Sequence, residues 1–337
     1  MKRLASLALL ATFASFAHPV TLQNCGRSWT FEHVPQRAIV YMPTAMENML
    51  ALRLGDSVIS AVGYRPDEDT APSPWYKPLK ARLDSSPWSG ESLLSSRPDF
   101  IYSGSYYWFN SPETAGRERM AEWGIGSWLI EGMCNGLQSG PPAPVTFDSI
   151  YDELRNIARI YGVEPRAEAL INELKQQVAA DSRIKLPRRT LMWWYSGTAT
   201  PYVAGGYGAS ELLTKTIGSK NIFDNSAELW PAMSWEVIAE RDPDYLILGD
   251  LQRGGDGDSA RSKIDFLERN PLTAGMKAVK AKRYIILPGY DMDASARSVL
   301  ALHRLVTQIH AKEQHDLSSP RITEKLGRTT KRLHRSP

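Results

Sequence analysis

The longest regular pattern of apolar and polar positions in the chain begins at Pro165 and ends at Ile184. Its apolar residues recur at steps of three and four, with polar residues between them: Ala167, Leu170, Ile171, Leu174 and Val178. This period is typical of an amphipathic helix, because it places the apolar side chains on one face. Pro165 suits a first helical turn, and Pro187 prevents continuation. We therefore predict a connecting helix over residues 163–186, the longest in the chain.

Two segments on either side of this helix resemble each other. Residues 89–104 read SGESLLSSRPDFIYSG and residues 234–249 read SWEVIAERDPDYLILG, so that Ser, Glu, Pro-Asp and an aromatic residue share one register. Each copy predicts a short helix capped by serine, a Pro-Asp turn and a buried strand. We therefore expect two similar α/β lobes, residues 18–162 and 187–315, joined by the connecting helix.

Strand patterns alternate with helix patterns through both halves of the chain. The pattern predicts a hairpin at 20–31 and strands at 38–41, 58–62, 100–102, 127–130, 190–194, 245–248 and 284–287. It predicts further helices at 45–54, 117–123, 147–161, 209–217 and 294–310. Strands that alternate with helices form parallel sheets covered by helices. The predicted fold class is α/β, with two Rossmann-like lobes and parallel-rich sheets.

Both ends of the chain are basic. Lys2 and Arg3 precede an apolar run at 4–16 and a small-x-small site that ends at Ala17, which is the pattern of an export signal. We expect cleavage after residue 17 and a periplasmic protein. Residues 316–337 form a basic tail that we expect to be disordered. The formal charge of +3 therefore resides in the two ends. The remaining body is mildly acidic and gives no support for a nucleic-acid partner.

Cys25 and Cys134 are the two cysteines of the chain. An exported protein meets an oxidising compartment, where two cysteines favour a disulfide; the alternative is a pair of buried thiols. A bond would close a loop of about a hundred residues, for which chain entropy predicts a stabilisation of up to roughly 4.7 kcal/mol. Both cysteines precede the connecting helix, so the bond would lie within the first lobe.

Aromatic and arginine side chains gather at the ends of the predicted strands, where open parallel sheets bind their ligands. The candidate ligand-binding residues are Tyr64, Arg65, Trp88, Tyr106, Tyr107, Trp108, Trp193, Tyr195, Trp230, Arg253, Tyr290 and Arg297. Aromatic faces together with guanidinium groups favour a bulky, partly apolar, anionic ligand. For any single aromatic residue the alternative is packing in a core. Consecutive aromatic residues are better candidates, because they cannot all face one core.

Patterns of catalysis and of metal binding are missing from the sequence. It contains no Gly-x-Ser-x-Gly elbow, no phosphate-binding loop and no His-Glu-x-x-His. None of the six histidines falls at a predicted strand end, so a site for a bare transition metal is not expected. The glycine-rich segments at 205–208 and 254–258 are predicted to be a tight turn and a loop. We expect neither an enzyme nor a bound cofactor.

The order of several short motifs resembles that of a known family. The motifs are NCGRSWTF at 24–31, PQR at 35–37, the helix at 47–55, the two Glu…Pro-Asp segments, YVAGG at 202–206, GSKNIF at 218–223 and NPL at 270–272. Over residues 20–312 they look like the class III substrate-binding proteins of ABC importers, which include binders of cobalamin, haem and ferric siderophores. The early Cys25 together with Cys134 is most similar to the siderophore branch.

This resemblance implies a shallow cleft between two lobes and small closure motions. It also implies that one exposed glutamate of each lobe docks onto arginines of a membrane permease, and Glu91 and Glu236 match those positions. A carboxylate in a first helical turn is equally explained by the helix dipole. The expected ligand is a ferric siderophore, and the expected state is a monomer. The alternatives are a cobalamin or haem binder on the same scaffold, or an exported chelate-processing factor or enzyme.

Overall fold

The computed structural model describes residues 19–66, 73–110, 114–136 and 143–318. The predicted export signal at 1–17 and most of the predicted tail, from 319 onward, lie outside these ranges. Within the described ranges, no helix combines the length and the apolar character that crossing a membrane requires.

The described chain begins with an antiparallel hairpin of β1 (Val20–Asn24) and β2 (Arg27–Phe31). The two residues between the strands, Cys25 and Gly26, have φ angles of 52° and 76°. Two successive left-handed residues form the hairpin turn whose twist matches that of the flanking strands. The predicted hairpin is confirmed.

The N-terminal lobe is built on a parallel sheet. Its strands are β3 (Ala38–Tyr41), β4 (Val58–Val62), β5 (Arg82–Asp84), β6 (Phe100–Ser103) and β7 (Gly126–Leu129). They pair in the order β5-β4-β3-β6-β7, every pair parallel. Its helices are α1 (Pro43–Ala51), α2 (Gly90–Ser96) and α3 (Arg117–Glu122). A sheet of this kind is covered by helices, which agrees with the predicted α/β class.

Two helices connect this sheet to a second one. They are α4 (Phe147–Tyr161) and α5 (Glu164–Asp181), separated by Gly162 and Val163; Gly162, with φ of 64°, ends α4. Helix α5 is the predicted connector, but it ends at residue 181 rather than 186. The prediction that it is the longest helix is wrong, since α10 (Arg297–Ser318) has 22 residues and α5 has 18.

Helix α10 extends beyond its predicted end at residue 310 because ion pairs hold its polar last turns against the C-terminal lobe. Arg189 Nη2 lies 2.6 Å from a carboxylate oxygen of Glu313, and Arg283 Nη2 lies 2.6 Å from one of Asp316. These contacts join residues far apart in sequence, so helical periodicity alone does not reveal them.

The second sheet repeats the parallel arrangement. Its strands are β8 (Thr190–Ser196), β9 (Tyr202–Val203), β10 (Lys220–Asn221), β11 (Tyr245–Asp250) and β12 (Tyr284–Pro288). The order β10-β8-β11-β12 is parallel, and β9 is antiparallel to β8. The helices of this lobe are α6 (Ala209–Thr216), α7 (Trp235–Arg241), α8 (Ala260–Arg269), α9 (Lys277–Lys280) and α10. The sequence had not predicted β5, β9, β10, α8 or α9.

Helices α2 and α7 are the repeated modules of the sequence. Each has seven residues, and each begins after a serine whose side chain accepts a backbone N–H, Ser89 from Ser92 and Ser234 from Val237. Each also ends at a left-handed residue just before the Pro-Asp pair. The two modules therefore share their capping geometry as well as their sequence register.

The aspartates of the two Pro-Asp pairs have the same role. The Asp99 carboxylate accepts the N–H of Arg37 at 2.9 Å, and the Asp244 carboxylate accepts the N–H of Thr190 at 2.8 Å. In each lobe the partner lies at the beginning of the neighbouring strand, β3 or β8. The repeated Pro-Asp therefore anchors the start of a central strand to the turn before the next one.

The Cys25–Cys134 disulfide is present, with the two Cα atoms 5.2 Å apart. It joins the turn of the β1–β2 hairpin to the 3₁₀ helix Glu131–Gly136. The bond therefore lies wholly within the N-terminal lobe, as predicted. It closes a sequence separation of 109 residues.

The glycines at 205 and 206 are required by a close approach of two backbone segments. A Cβ atom at Gly205 would lie 2.0 Å from the carbonyl oxygen of Glu228, and one at Gly206 would lie 2.1 Å from that of Asp224. This segment is a tightly packed turn, as the sequence predicted.

Candidate functional site

A cleft with a volume of about 590 Å³ lies between the two sheets. It is lined by Met42, Pro43, Thr44, Gly63, Arg65, Ser85, Tyr195, Asp250, Leu251, Gln252, Arg253, Gly289, Tyr290 and Asp293. These residues end or follow β3, β4 and β5 in the first lobe and β8, β11 and β12 in the second. The cleft therefore occupies the carboxyl edge of both sheets, which is where open parallel sheets bind ligands.

The wall contributed by the N-terminal lobe is formed by the passage from β3 into α1. Met42 has φ 78° and ψ 147°, and its N–H donates to the carbonyl of Val62 at 2.9 Å. A left-handed non-glycine residue costs on the order of 1–3 kcal/mol, and such residues concentrate at functional sites. This conformation turns the chain at once from the strand end into Pro43, the first residue of α1.

The wall contributed by the C-terminal lobe is a layer of rings and a cation. Tyr195 packs against Trp230 with ring centroids 4.8 Å apart, and the Arg253 guanidinium lies 5.2 Å from the Tyr195 ring centroid. Arg253 also forms a 2.7 Å ion pair with Asp258 while more than half of its side chain stays exposed. Asp258 thus fixes the guanidinium over the ring, and the exposed part remains available to a ligand.

Tyr290 bridges the two lobes at the base of the cleft. Its hydroxyl accepts the backbone N–H of Arg65 at 2.9 Å, and its ring stacks on Tyr64 with centroids 5.8 Å apart. Tyr64 is itself buried and donates its hydroxyl hydrogen to Glu47. The burial of Tyr64 and the adjacent Glu47 carboxylate raise the pKa of Tyr64 well above its ordinary value, so its hydroxyl stays protonated.

Asp293 lines the cleft and has a carboxyl group whose pKa is raised toward neutral pH. Burial raises the pKa of its carboxyl to about 6, although a hydrogen bond from Trp230 and the charge of Arg253 oppose the rise. The charge of the C-terminal wall therefore changes between mildly acidic and neutral pH.

The structure brings together four of the twelve predicted ligand residues in the cleft lining: Arg65, Tyr195, Arg253 and Tyr290. Tyr64 and Trp230 lie directly behind them, in ring contact with Tyr290 and Tyr195. The other six do not line the cleft.

Arg297 is a correction to the sequence-based prediction. Its side chain is fully buried and forms ion pairs with Glu47 and Asp291. The guanidinium lies beneath Tyr290, 5.8 Å from the ring centroid. Its charge therefore holds the two lobes together and does not face a ligand. This role depends on the contact between α1, which carries Glu47, and α10, which begins at Arg297.

Two tryptophans also prove to be core residues. Trp193 is fully buried, and its indole N–H donates to Thr214 at 2.8 Å. Trp88 is almost fully buried, and its indole N–H donates to Asp84 at 2.9 Å. The Trp193 prediction failed because a residue near the end of a strand can still face a covering helix, here α6. The Trp88 prediction failed because its indole turns back onto the last residue of β5.

The aromatic run after β6 forms the 3₁₀ helix Tyr106–Phe109 and does not line the cleft. Trp108 packs on Tyr41, with ring centroids 6.0 Å apart. Tyr106 and Tyr107 are exposed, Tyr107 at 57%. These consecutive aromatic residues do not all face one core, as inferred, but the exposed rings of Tyr106 and Tyr107 do not line the cleft.

The sequence-based search missed several lining residues. Met42, Thr44, Asp250 and Asp293 all follow strand ends, which was the right signal. They were not predicted because only aromatic residues and arginines were taken as candidates. Among the described residues, no group of three or more His, Cys, Asp or Glu side chains is placed to hold a metal ion.

Glu91 and Glu236 both lie on exposed surface, in the first turns of α2 and α7. Their positions are equivalent in the two repeated modules, each two residues after the capping serine. Each lobe therefore presents one such carboxylate to solvent.

Solved structures show the same fold. A periplasmic binding protein from Veillonella parvula is 23% identical, with a TM-score of 0.72 over 87% of this chain and 97% of that one. A protein of an ABC-type Fe³⁺-hydroxamate transport system from Saccharomonospora viridis is 24% identical, with a TM-score of 0.71 over 87% of this chain and 99% of that one.

Sequence comparison extends the likeness. The vitamin B12-binding protein of Photorhabdus laumondii is 23% identical over 249 residues, which is 72% of this chain and 77% of that protein. Residues 45–290 match the family model described as periplasmic binding protein. Members of this group bind substrates for transport and are not enzymes, in agreement with the sequence-based expectation. The chain therefore belongs to the periplasmic binding protein family, in the group that binds iron siderophores, haem or cobalamin for ABC importers.

Proposed function

We propose that this chain captures a ferric siderophore in the periplasm and delivers it to the permease of an ABC importer. The observation that carries the proposal is the composition of the cleft. Each lobe contributes one arginine to the lining, Arg65 from the first and Arg253 from the second. The second lobe also contributes the rings of Tyr195 and Tyr290. A ferric siderophore combines anionic donor groups with a bulky organic shell, which guanidinium groups and aromatic faces recognise.

The size of the cleft supports a ligand of this class. Small-molecule sites occupy roughly 300–1,000 Å³, and the cleft volume of about 590 Å³ falls in the middle of that range. Because the lining comes from two lobes, a ligand of this size contacts both of them at once.

Delivery to a permease is supported by Glu91 and Glu236. Both carboxylates are exposed and occupy equivalent positions on the two lobes. In the proposal each contacts an arginine of the permease, and the protein acts as a monomer without a resident cofactor.

The test is a titration of tryptophan fluorescence in the purified protein, because Trp230 packs on the cleft residue Tyr195. Ferric hydroxamate, catecholate and mixed chelates are compared with haem, cobalamin and the iron-free chelators. Micromolar or tighter quenching by a ferric chelate supports the proposal. Arg253→Met should weaken that binding at least tenfold, whereas Arg261→Met on the exposed face of α8 should leave it unchanged.

A cobalamin binder is the second candidate, favoured by the likeness to vitamin B12-binding proteins. Its cleft must take a larger, mostly uncharged corrin ligand. Saturable quenching by cobalamin together with no response to any ferric chelate would select this function instead.

A further inference from the structure

We infer that the Asp293 carboxylate forms a cation subsite in the C-terminal wall of the cleft and takes a pendant ammonium group of the bound chelate. This inference deepens the proposed function and rests on it. In this arrangement the arginines recognise the anionic donor groups of the chelate, while Asp293 recognises a cationic side arm. The ligand class is therefore a ferric siderophore that carries a free amine.

The Asp293 carboxylate is accessible from the cleft. The residue lines the cleft and is only partly buried. Its Oδ1 atom accepts the indole N–H of Trp230 at 3.2 Å. Its Oδ2 atom has no hydrogen-bond donor among the described residues, and it is not one of the enclosed side-chain oxygens of the described chain. Because an ionised carboxylate accepts up to about four hydrogen bonds, Asp293 has room for a donor group of a ligand.

The charge of Asp293 is not neutralised by a partner in the described part of the chain. Asp293 forms no ion pair there, and the neighbouring cation Arg253 forms its 2.7 Å ion pair with Asp258 instead. Burial raises the pKa of Asp293 to about 6, and the opposing charge of Arg253 does not overcome that effect. A bound ammonium group supplies the missing counter-charge.

The other carboxylate in the cleft lining is already bound by the protein. Asp250 Oδ1 accepts the N–H of Ala260, the first residue of α8, at 2.8 Å. The Asp250 carboxylate also interacts with the charge of the buried Lys263. A ligand cation therefore gains more at Asp293 than at Asp250.

Aromatic rings border the Asp293 carboxylate. Tyr195 and Trp230 pack with ring centroids 4.8 Å apart, and Tyr195 lines the cleft. The faces of such rings attract ammonium and guanidinium groups. Arg253 already lies 5.2 Å from the Tyr195 ring centroid, so this wall accommodates a cation. A carboxylate beside these rings favours a charged amine over a neutral group.

Several charged or titratable groups surround Asp293. They are Tyr195 of β8, Asp250 of β11, Arg253 with its partner Asp258, Tyr290, and Asp291, which pairs with Arg297 and Arg304. Burial raises the pKa of Tyr195 well above its ordinary value, and Arg253 stays protonated. A comparison of two chelates on the same protein cancels any charge change that affects both chelates equally.

The experiment measures affinities by isothermal titration calorimetry for three chelates with the same ferric tris-hydroxamate centre: ferrioxamine B, its N-acetyl derivative and its N-succinyl derivative. Their tails end in an ammonium, in no charge and in a carboxylate. At pH 7.5 wild-type protein should bind ferrioxamine B about tenfold more tightly than the N-acetyl chelate, because a hydrogen bond between charged groups is stronger than one to a neutral group. The N-succinyl chelate should bind most weakly.

Three variants isolate the carboxylate. Asp293→Asn keeps the size and an acceptor for Trp230, and it should weaken ferrioxamine B about tenfold and the N-acetyl chelate less than twofold. Asp293→Glu keeps the charge and should retain a preference for the ammonium. Asp265→Asn removes the same charge from an exposed position of α8 and should leave the tenfold preference unchanged. Thermal unfolding confirms that each variant is folded.

The preference for the ammonium should disappear in acid. With a pKa of about 6, roughly one Asp293 carboxyl in ten remains ionised at pH 5.0 in the free protein. The preference of wild-type protein should therefore fall from about tenfold at pH 7.5 to about twofold at pH 5.0. Asp293→Asn should show no such change, whereas a purely structural role of Asp293 would not link the preference to pH.

The outcomes separate the subsite from the function. An ammonium preference that requires the Asp293 charge and falls in acid supports the subsite. If wild-type protein binds ferrioxamine B and its N-acetyl derivative equally, or if Asp293→Asn weakens both equally, the subsite is refuted while the proposed function stands. If wild-type protein binds none of the three chelates, the subsite is overturned, and the fluorescence titration decides the proposed function separately.

Discussion

Arg297 of the C-terminal lobe and Glu47 of the N-terminal lobe form an ion pair of 3.3 Å between atoms Nη1 and Oε1, and both side chains are fully buried. A neighbouring contact reinforces it, in which the N–H of Ala296 donates to the Asn48 side chain at 2.9 Å. The lobes are thus tied together beneath the cleft by residues of α1 and the beginning of α10.

Removing one partner of the buried pair should be costly. Arg297→Met leaves the carboxylates of Glu47 and Asp291 without this counter-charge, and we expect a loss of about 3–5 kcal/mol in the free energy of unfolding. Urea denaturation measures it. The matched control is Arg119→Met, because Arg119 forms an exposed pair with Glu122 and its loss should cost less than about 1 kcal/mol. Equal effects of the two substitutions would contradict the structural role of Arg297.

The disulfide should stabilise the fold without shaping the cleft. Replacing Cys25 and Cys134 by serine should lower the free energy of unfolding by about 2–5 kcal/mol, because the unfolded chain regains the entropy of a long loop. Ligand affinity should stay within about twofold, since the bond lies wholly in the N-terminal lobe. Dithiothreitol should reproduce the effect in wild-type protein and leave the serine variant unaffected. A large loss of affinity in a folded variant would show that the bond positions the cleft.

Glu153 should give the protein a pH-dependent stability. Burial raises the pKa of its carboxyl to about 7, from an ordinary 4.5, although hydrogen bonds from Tyr102 and Trp128 oppose the rise. The native state therefore binds more protons than the unfolded state between these two pH values. The free energy of unfolding should fall as pH rises through this window, by on the order of 3 kcal/mol, and then level off.

The Glu153 prediction is tested by comparing pH profiles of unfolding. The glutamine of Glu153→Gln cannot titrate. The free energy of unfolding of this variant should therefore lack the fall that wild-type protein shows over this pH window. The control is Glu168→Gln, whose carboxylate is exposed and has a pKa lowered by Arg155. It should not remove the fall. Parallel profiles of wild type and Glu153→Gln would refute the assignment.

The two equivalent glutamates should matter for transport and not for binding. Glu91→Arg combined with Glu236→Arg reverses the charge at both proposed permease contacts, and we expect uptake of the labelled chelate to be abolished in cells that contain the cognate permease. Affinity of the purified variant should be unchanged. Glu173→Arg combined with Asp265→Arg makes the same charge change at two other exposed positions and should transport normally. Weakened binding with normal uptake would argue against docking.

The sequence by itself determined the class of fold and its internal repetition. Alternating strand and helix patterns predicted both parallel sheets, since side-chain burial follows the period of each element. The repeated Ser-Glu-Pro-Asp register also predicted the serine cap of each short helix, because Ser89 acts over only a few residues. The contact by which Asp99 anchors the start of β3 joins residues far apart in sequence and was not predicted. The Cys25–Cys134 pairing was predicted because the chain has two cysteines and is expected to be exported.

Only the tertiary structure decided which side chains face the cleft. Trp193 and Tyr195 lie two residues apart on the same strand, yet the first is buried against Thr214 and the second lines the cleft. Arg297 and Arg253 both come after strand ends. Arg297, however, is buried in an ion pair with Glu47 of the other lobe. Periodicity predicts which face of its own helix or strand a residue occupies. Whether that residue is exposed in a cleft depends on which element, distant in sequence, packs over it.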